Sequence, residues 1–264
     1  MVVFYHMTEN EVKNYDNFHL SIELNSEFAH LLLIDKSNKR GVAIETISLN
    51  NNLKNTFDNS EIIQKSSQAT VSCVLQNSKF TLVPNSIFQE SESSSYLEFN
   101  QMSLDSFEVS YDKLIKQEIT NCFGIETETK NILSELFPNI TYSHIGSVLI
   151  DSLTDGFHVN FSQEKEFEIT VIENKKLGFF NRFIAENIDE TLYYLSLVAE
   201  KLNLDIQKIN LSLSGMIGPN DENFLFWSQF IPKENLNFNE IETSQLNAIS
   251  THRFFTLHKQ IQCV

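Results

Sequence analysis

Between residues 157 and 184 apolar side chains alternate with polar ones in three successive runs, and few architectures accept that pattern followed at once by a capped helix. Phe157, Val159 and Phe161 alternate with His158, Asn160 and Ser162, and Phe167, Ile169 and Val171 alternate with Glu168 and Thr170. Period two is the mark of half-buried strands. Gly178, Phe179, Phe180, Phe183 and Ile184 form a third apolar run. Asn187-Ile188-Asp189-Glu190 then supplies a helix cap with an acid three residues on, and Leu192, Leu195, Ala199 and Leu202 recur at helical spacing. The stretch predicts a three-stranded meander followed by a helix. It holds no nucleophile beside a base, no ligand cluster and no glycine cradle, so it predicts architecture and leaves chemistry open.

An echo of this stretch lies near the N-terminus. Phe18-His19 followed by Glu27-Phe28 matches Phe157-His158 followed by Glu166-Phe167 at a constant offset, and turns end at Gly41 and Gly178. Strands are predicted over residues 18–24, 28–34 and 42–49, so each half carries one meander, and the repeated order predicts a duplicated domain. Residues 1–16 read as a partly disordered polar leader. Further along, residues 50–65 carry a helical face of Leu53, Phe57, Ile62 and Ile63, residues 69–75 and 80–83 read as strands, and Tyr96–Phe99 as a short helical turn. Strand signals return at Phe107–Val109 and 119–124, a helix at 126–137 stops at Pro138, and 143–153 reads as a helix joining the halves. In the second half Ile209–Ser214 alternates as a strand, 221–230 as an amphipathic helix, and Leu236 with Phe238 as a short strand, while 245–261 is ambiguous. The predicted class is mixed α/β, with domains at 1–154 and 155–264 and no floppy linker between them.

A chain of 264 residues with 41% hydrophobic content is long enough to bury a large core, and its net charge of −16 repels phosphate backbones and anionic headgroups. Its basic pairs, Lys39-Arg40 and Lys175-Lys176, stand in predicted turns, which disfavours nucleic-acid and membrane binding. No apolar run reaches the roughly 20 residues of a membrane helix, and the first residues lack the pattern of a secretion signal. Cys73, Cys122 and Cys263 are far apart and in no metal spacing, which fits a reducing, cytoplasmic setting.

This order of elements, together with Leu82-Val83-Pro84-Asn85-Ser86-Ile87-Phe88, Phe180-Asn181-Arg182-Phe183, Asp189-Glu190-Thr191-Leu192-Tyr193-Tyr194-Leu195 and Leu211-Ser212-Leu213-Ser214-Gly215, resembles a functionally uncharacterised bacterial family of unknown-function domains. The resemblance spans about Phe18 to Phe238. It implies an actin-like ATPase fold of two ribonuclease-H-like halves facing across a cleft, and it carries no settled activity. Active members of that fold turn between the first two strands of each half with an Asp-x-Gly type loop, whose backbone N–H groups approach phosphate. Here the corresponding turns are Leu24-Asn25-Ser26-Glu27 and Ser162-Gln163-Glu164-Lys165, neither with glycine, and Glu27, Glu164 and Glu166 place negative charge near them. ATP hydrolysis is therefore disfavoured. A glycine turn beside the adenosine has a partial match in Ser214, Gly215 and Gly218, a vestigial nucleotide site in one reading and a plain strand-to-helix turn in the other.

Other candidates are weaker. His252 and His258 fit no zinc spacing, and His19 and His158, opposite Phe18 and Phe157, read as solvated or partner-facing strand residues. The carboxylates read as a solvated acidic surface, the cysteines as inert buried thiols, and the aromatics Phe224–Trp227 and Phe254-Phe255 as core, with any exposed part a docking patch. The resulting expectation is a catalytically silent actin-like protein that binds an unknown protein partner as a scaffold, with no catalytic residue, metal or cofactor. The alternative is a divergent ATP-binding protein or ATPase.

Overall fold

In the computed structural model, residues 2–5, 17–49, 53–66, 69–241 and 250–262 are described. They pack as two compact units, one from the N-terminus to Asp151 together with residues 256–262, the other from Ser152 to Ile241 together with residues 250–255.

The first unit opens with β1 (Val2–Tyr5), β2 (Phe18–Leu24), β3 (Phe28–Asp35) and β4 (Arg40–Ser48). Short helices α1 (Leu53–Asp58) and α2 (Glu61–Lys65) precede β5 (Thr70–Leu75) and β6 (Phe80–Pro84). There follow α3 (Ser93–Phe99), β7 (Phe107–Leu114), β8 (Ile119–Glu126), α4 (Thr127–Leu136), β9 (Thr141–His144) and α5 (Ile145–Ser152). The main sheet runs β1-β4-β3-β2-β5-β9, and β6-β8-β7 form a separate antiparallel sheet. From β1 to β2 the neighbours are antiparallel, and β5 and β9 join β2 in parallel.

The second unit repeats this plan without the small sheet. Strands β10 (Gly156–Phe161), β11 (Glu166–Glu173) and β12 (Lys176–Ile184) form the meander, then come α6 (Ile188–Lys201), β13 (Leu211–Gly215), α7 (Glu222–Trp227) and β14 (Leu236–Phe238). The order β12-β11-β10-β13-β14, three strands antiparallel and two parallel, is the order β4-β3-β2-β5-β9 of the first unit. A register shift falls at Leu33/Ile34 in one meander and at Val171/Ile172 in the other.

Local chemistry explains where the helices start. Asn187 caps α6 by accepting the Glu190 N–H at 3.0 Å, and the Glu190 carboxylate in turn accepts the Glu186 N–H at 2.9 Å. Residues 50–65 do not make one helix, because the Ser60 hydroxyl accepts the Ile63 N–H and starts α2 anew. The buried Glu45 of β4 anchors that start, accepting the Ser60 hydroxyl at 2.7 Å and the Ile62 N–H at 3.2 Å. One core gathers Leu20, Ile22, Leu31, Phe57, Ile62 and Phe123, and the other Val159, Phe161, Phe167, Leu195, Leu213 and Trp227.

Four expectations are corrected. Val2–Tyr5 are not leader but an added strand against β4, while residues 6–16 lie outside the described set. The strand begun at Phe107 runs on to Leu114. The domain reading placed residues 155–264 together, yet α8 (Phe255–Lys259) leads the chain back to the first unit. There the Thr256 hydroxyl bonds Glu23, Ser72 donates to Gln260 Oε1 at 2.7 Å, and Gln260 donates to the Ile22 carbonyl at 3.0 Å. Residues 245–249 and Cys263 lie outside the described set.

The fourth correction concerns the histidines. His19 and His158 are not solvated: both are buried, His19 with its ring nitrogens 2.9 Å from the Thr70 hydroxyl and 2.8 Å from Ser72, His158 bonded to the Thr154 carbonyl at 2.8 Å. Burial, helped by Lys36, lowers the His19 imidazole to about 4, and burial lowers His158 against the opposing Thr154 bond. A histidine that is harder to protonate when folded adds stability above its unfolded value of 6.5 and withdraws it as pH falls toward 4. Urea titrations at pH 7 and pH 5 are expected to show this as a loss of up to about 2 kcal/mol that His19→Gln removes.

Candidate functional site

The turns that hold phosphate in active proteins of the resembling fold are closed by the chain's own groups. At the β2–β3 turn the Asn25 side-chain oxygen accepts the N–H of Glu27 at 2.8 Å and of Phe28 at 2.7 Å, an Asx turn. Asn25 is itself buried and fixed, since its amide donates to Gln76 Oε1 at 3.0 Å and the Gln76 N–H bonds the Leu24 carbonyl at 2.9 Å. The Asn25 N–H donates to Phe28 O at 3.1 Å. At the β10–β11 turn the Gln163 N–H donates to Glu166 O at 3.1 Å, the Ser162 hydroxyl reaches the same carbonyl, and Lys165 pairs with Glu186 at 2.8 Å.

The glycine turn after β13 is spent in the same way. Gly215 adopts φ +82°, and a Cβ there would meet the Phe161 carbonyl oxygen at 2.1 Å, so the glycine serves the close pairing of β13 with β10. The Met216 N–H donates to Phe161 O at 2.7 Å and the Ile217 N–H to Gly215 O at 2.8 Å. His252, buried in the 3-10 turn Thr251–Phe254, binds the Ile217 carbonyl and packs its tilted ring against Phe238 with ring centres 4.4 Å apart. Gly218 has open space around it. Ser214 looks inward and donates to Asn160 Oδ1 at 2.8 Å.

Ser214 belongs to a buried polar cluster that the sequence did not disclose. Asn160 also donates to Glu168 at 2.9 Å, and Glu168, fully buried, lies 3.2 Å from Arg182 Nη1, whose neighbouring nitrogen pairs with Glu166. Burial raises the Glu168 carboxyl, opposed by Arg182 and by bonds from Asn160 and Ser162. Register made the cluster: Asn160 sits opposite Glu168 on β11 and Ser214 on β13, and Glu168 opposite Arg182 on β12. Alternation marked these positions as polar but not as buried. Among the described residues no three His, Cys, Asp or Glu side chains gather as metal ligands. Cys73 and Cys122 are buried free thiols, both raised by burial, Cys122 to about 11, which makes them poor nucleophiles.

Tested against a nucleotide, these turns do not fit as they stand, because the N–H groups of Glu27, Phe28, Gln163, Met216 and Ile217 already donate within the chain. The sheet order nonetheless defines a class. The molecule is a mixed α/β protein with the actin-like ATPase fold, as solved structures of that fold show. One is a crystal structure from Bacteroides thetaiotaomicron, described as a protein with actin-like ATPase fold and unknown function, at TM-score 0.78 and 18% identity over 96% of this chain and 99% of that one. The chain belongs to the family described as protein of unknown function DUF3822, whose model matches residues 7–233. The fold is shared more distantly with a chain of the PilM-PilN type IV pilus biogenesis complex, at TM-score 0.58 and 11% identity over 93% of this chain and 98% of that one. It is shared also with the cytoplasmic domain of EpsL, an inner membrane component of the type II secretion system of Vibrio cholerae, at TM-score 0.54 and 11% identity over 93% and 95% of the two chains. No curated protein sequence matches the chain. Among the described residues no helix is long and apolar enough to cross a membrane.

Proposed function

We propose that this chain is a catalytically silent actin-like protein that works in the cytoplasm as a protein-interaction module. The observation that carries the reading is Asn25: its carboxamide takes the two N–H groups that a phosphate would need at the first turn, and Gln76 holds it there. A phosphate entering would have to displace bonds already made to the buried Asn25 side chain and meet the Glu27 carboxylate, both unfavourable. The shared strand order and matching register shifts support descent of the two units from one duplicated ancestor. Two of the proteins sharing the fold, from the PilM-PilN complex and the type II secretion system, are parts of larger assemblies, which supports a binding role.

The small sheet offers the contact surface. Ile87, Phe99 and Ile115 are 61%, 87% and 70% exposed on or beside β6, α3 and β7, and aromatic and apolar anchors of this kind carry much of interface energy. Substituting Phe99→Asp and Ile115→Asp is expected to release a partner that the unaltered chain retains, with the melting temperature unchanged. Nucleotide binding is tested by calorimetry and thermal shift with magnesium and ATP. At about 5 mM ATP a site of about 1 mM affinity would stabilise the protein by about 1 kcal/mol, and no shift is expected. Magnesium-dependent turnover, or a shift abolished by altering the Asn25 turn, would overturn the reading in favour of a divergent ATPase.

A further inference from the structure

Strand β7 is an edge of the small sheet, with β8 on its inner side and, among the described residues, no strand on the other. Register decides which of its backbone groups are already paired. In an antiparallel ladder successive residues turn their N–H and C=O alternately to one neighbouring strand and to the other. The Gly124 N–H donates to the Lys79 carbonyl and the Asn85 N–H to the Glu118 carbonyl, both at 2.9 Å, so the even-numbered residues along β8 face β6. The odd-numbered ones face β7, where their partners are Glu108, Ser110, Asp112 and Leu114, and the Thr127 N–H continues that ladder to the Ser106 carbonyl at 2.9 Å. Val109, Tyr111 and Lys113 are left turned away from the sheet, and among the described residues no backbone bond reaches any of the three.

This edge borders a groove within the first unit. Tyr111, Lys113 and Ile115 line a space of about 380 Å³ whose far wall is formed by Ser147, Val148 and Asp151 of α5. The strand is fixed from both faces. Tyr111 lies 5.1 Å from Phe88, ring centre to ring centre, and both pack on the small apolar cluster around Leu97. On the opposite face the Asp112 carboxylate accepts the His144 N–H at 3.0 Å, tying β7 to β9. The free groups recur at every second residue, about 6.8 Å apart in an extended chain, and a second extended backbone answers such a row. The chain supplies its own precedent: in the main sheet β1 closes the outer edge of β4 in this way.

We propose that the groove receives an extended segment of a partner protein, laid along β7 as a fourth strand of the small sheet and bonded to the backbone of Val109, Tyr111 and Lys113. Its side chains would alternate, apolar toward Tyr111 and the 70% exposed Ile115, small and polar toward Ser147. The proposal rests on the reading of the chain as a protein-interaction module and names the form its partner takes. A second copy of this chain fits the edge poorly. Adjacent strands lie about 4.8 Å apart, so the β7 of another copy would bring its own β8 against α5. Two copies, each with a net charge of −16, also repel one another.

The test uses the full chain and a short capped peptide of alternating valine and threonine, with two further forms methylated at the odd or at the even backbone nitrogens. The parent peptide is expected to bind with a dissociation constant below about 1 mM and to slow amide exchange at Val109, Tyr111 and Lys113. Of the methylated forms, the one whose blocked nitrogens face β7 is expected to bind at least about tenfold more weakly, and the other to bind as the parent does. Lys113→Pro removes one outward N–H without touching the β8 ladder and is expected to weaken binding at least about tenfold, whereas Lys113→Ala leaves it unchanged. No peptide binding, equal binding by both methylated forms, or a concentration-dependent dimer abolished by Lys113→Pro would each overturn the proposal, and the peptide comparison holds whether or not Lys113→Pro folds. A protein partner released by Phe99→Asp and Ile115→Asp but retained by Lys113→Pro would overturn strand addition while leaving the interaction-module reading in place.

Discussion

Replacing Gly215 with alanine is expected to destabilise the second unit by about 4 kcal/mol, among the largest effects open to a single methyl group. Two independent penalties combine. The backbone at Gly215 stands at φ +82°, where an L-residue is strained by about 1–2 kcal/mol. The added Cβ would also lie 2.1 Å from the carbonyl oxygen of Phe161, 2.8 Å from its carbon and 2.9 Å from its nitrogen. All three are backbone atoms of a central strand, so relief means parting β13 from β10, where Phe161 and Gly215 are register partners. Met216 would lose its bond to the same carbonyl. A fall in melting temperature of about 8–16 °C is the expected reading for a chain of this size. Gly218→Ala is the internal control: nothing lies within 4 Å of a Cβ there, and its change is expected to stay within about 0.5 kcal/mol. Equal behaviour of the two variants would show that the close approach is not real.

Removing the Arg182 guanidinium is the second large perturbation. Arg182→Met keeps length and apolar packing but leaves Glu168, with no exposed surface, facing only neutral donors, the Asn160 amide and the Ser162 hydroxyl, and loss of one partner from a buried pair costs about 3–5 kcal/mol. The pH dependence follows from direction alone. Glu168 already has a raised carboxyl, so its contribution to stability is full below the unfolded value and is lost as pH rises through the folded one. Without Arg182, named among the groups that lower it, the carboxyl rises further. Urea denaturation should therefore find Arg182→Met weakest at pH 8 and recovering as pH is lowered. Combining it with Glu168→Gln is expected to restore most of the loss, because the orphaned charge is gone. A single variant as stable as the original at pH 8 would mean that the pair contributes nothing.

Sequence periodicity disclosed the meanders because one face of each sheet is apolar without interruption: Phe157, Val159 and Phe161 on β10 repeat Phe18, Leu20 and Ile22 on β2. The α6 cap was equally legible, since Asn187 and Glu190 act within four residues of each other. What the alternation could not tell is the fate of the opposite face. Polar residues at every second position ordinarily mean water, yet His19, Glu23, Asn160 and Glu168 are all buried. Their partners are remote in sequence: His19 bonds Ser72, Glu23 bonds Thr256 and Glu168 meets Arg182, pairings set by sheet register and by a returning helix. At the candidate turns the sequence showed the missing glycines but not Asn25 as the group that takes their place, because an Asx turn and an exposed loop asparagine read alike.

The return of α8 and the turn after it to the first sheet has a consequence for biogenesis. Thr256 and Gln260 complete bonds to Glu23, Ser72 and Ile22, yet they leave the ribosome after the entire second unit. Domains ordinarily fold in the order in which they are translated. Here the earlier-made sheet waits with part of its hydrogen bonding open until synthesis has passed residue 260, and a nascent chain halted before that point would carry a finished later unit and an unfinished earlier one.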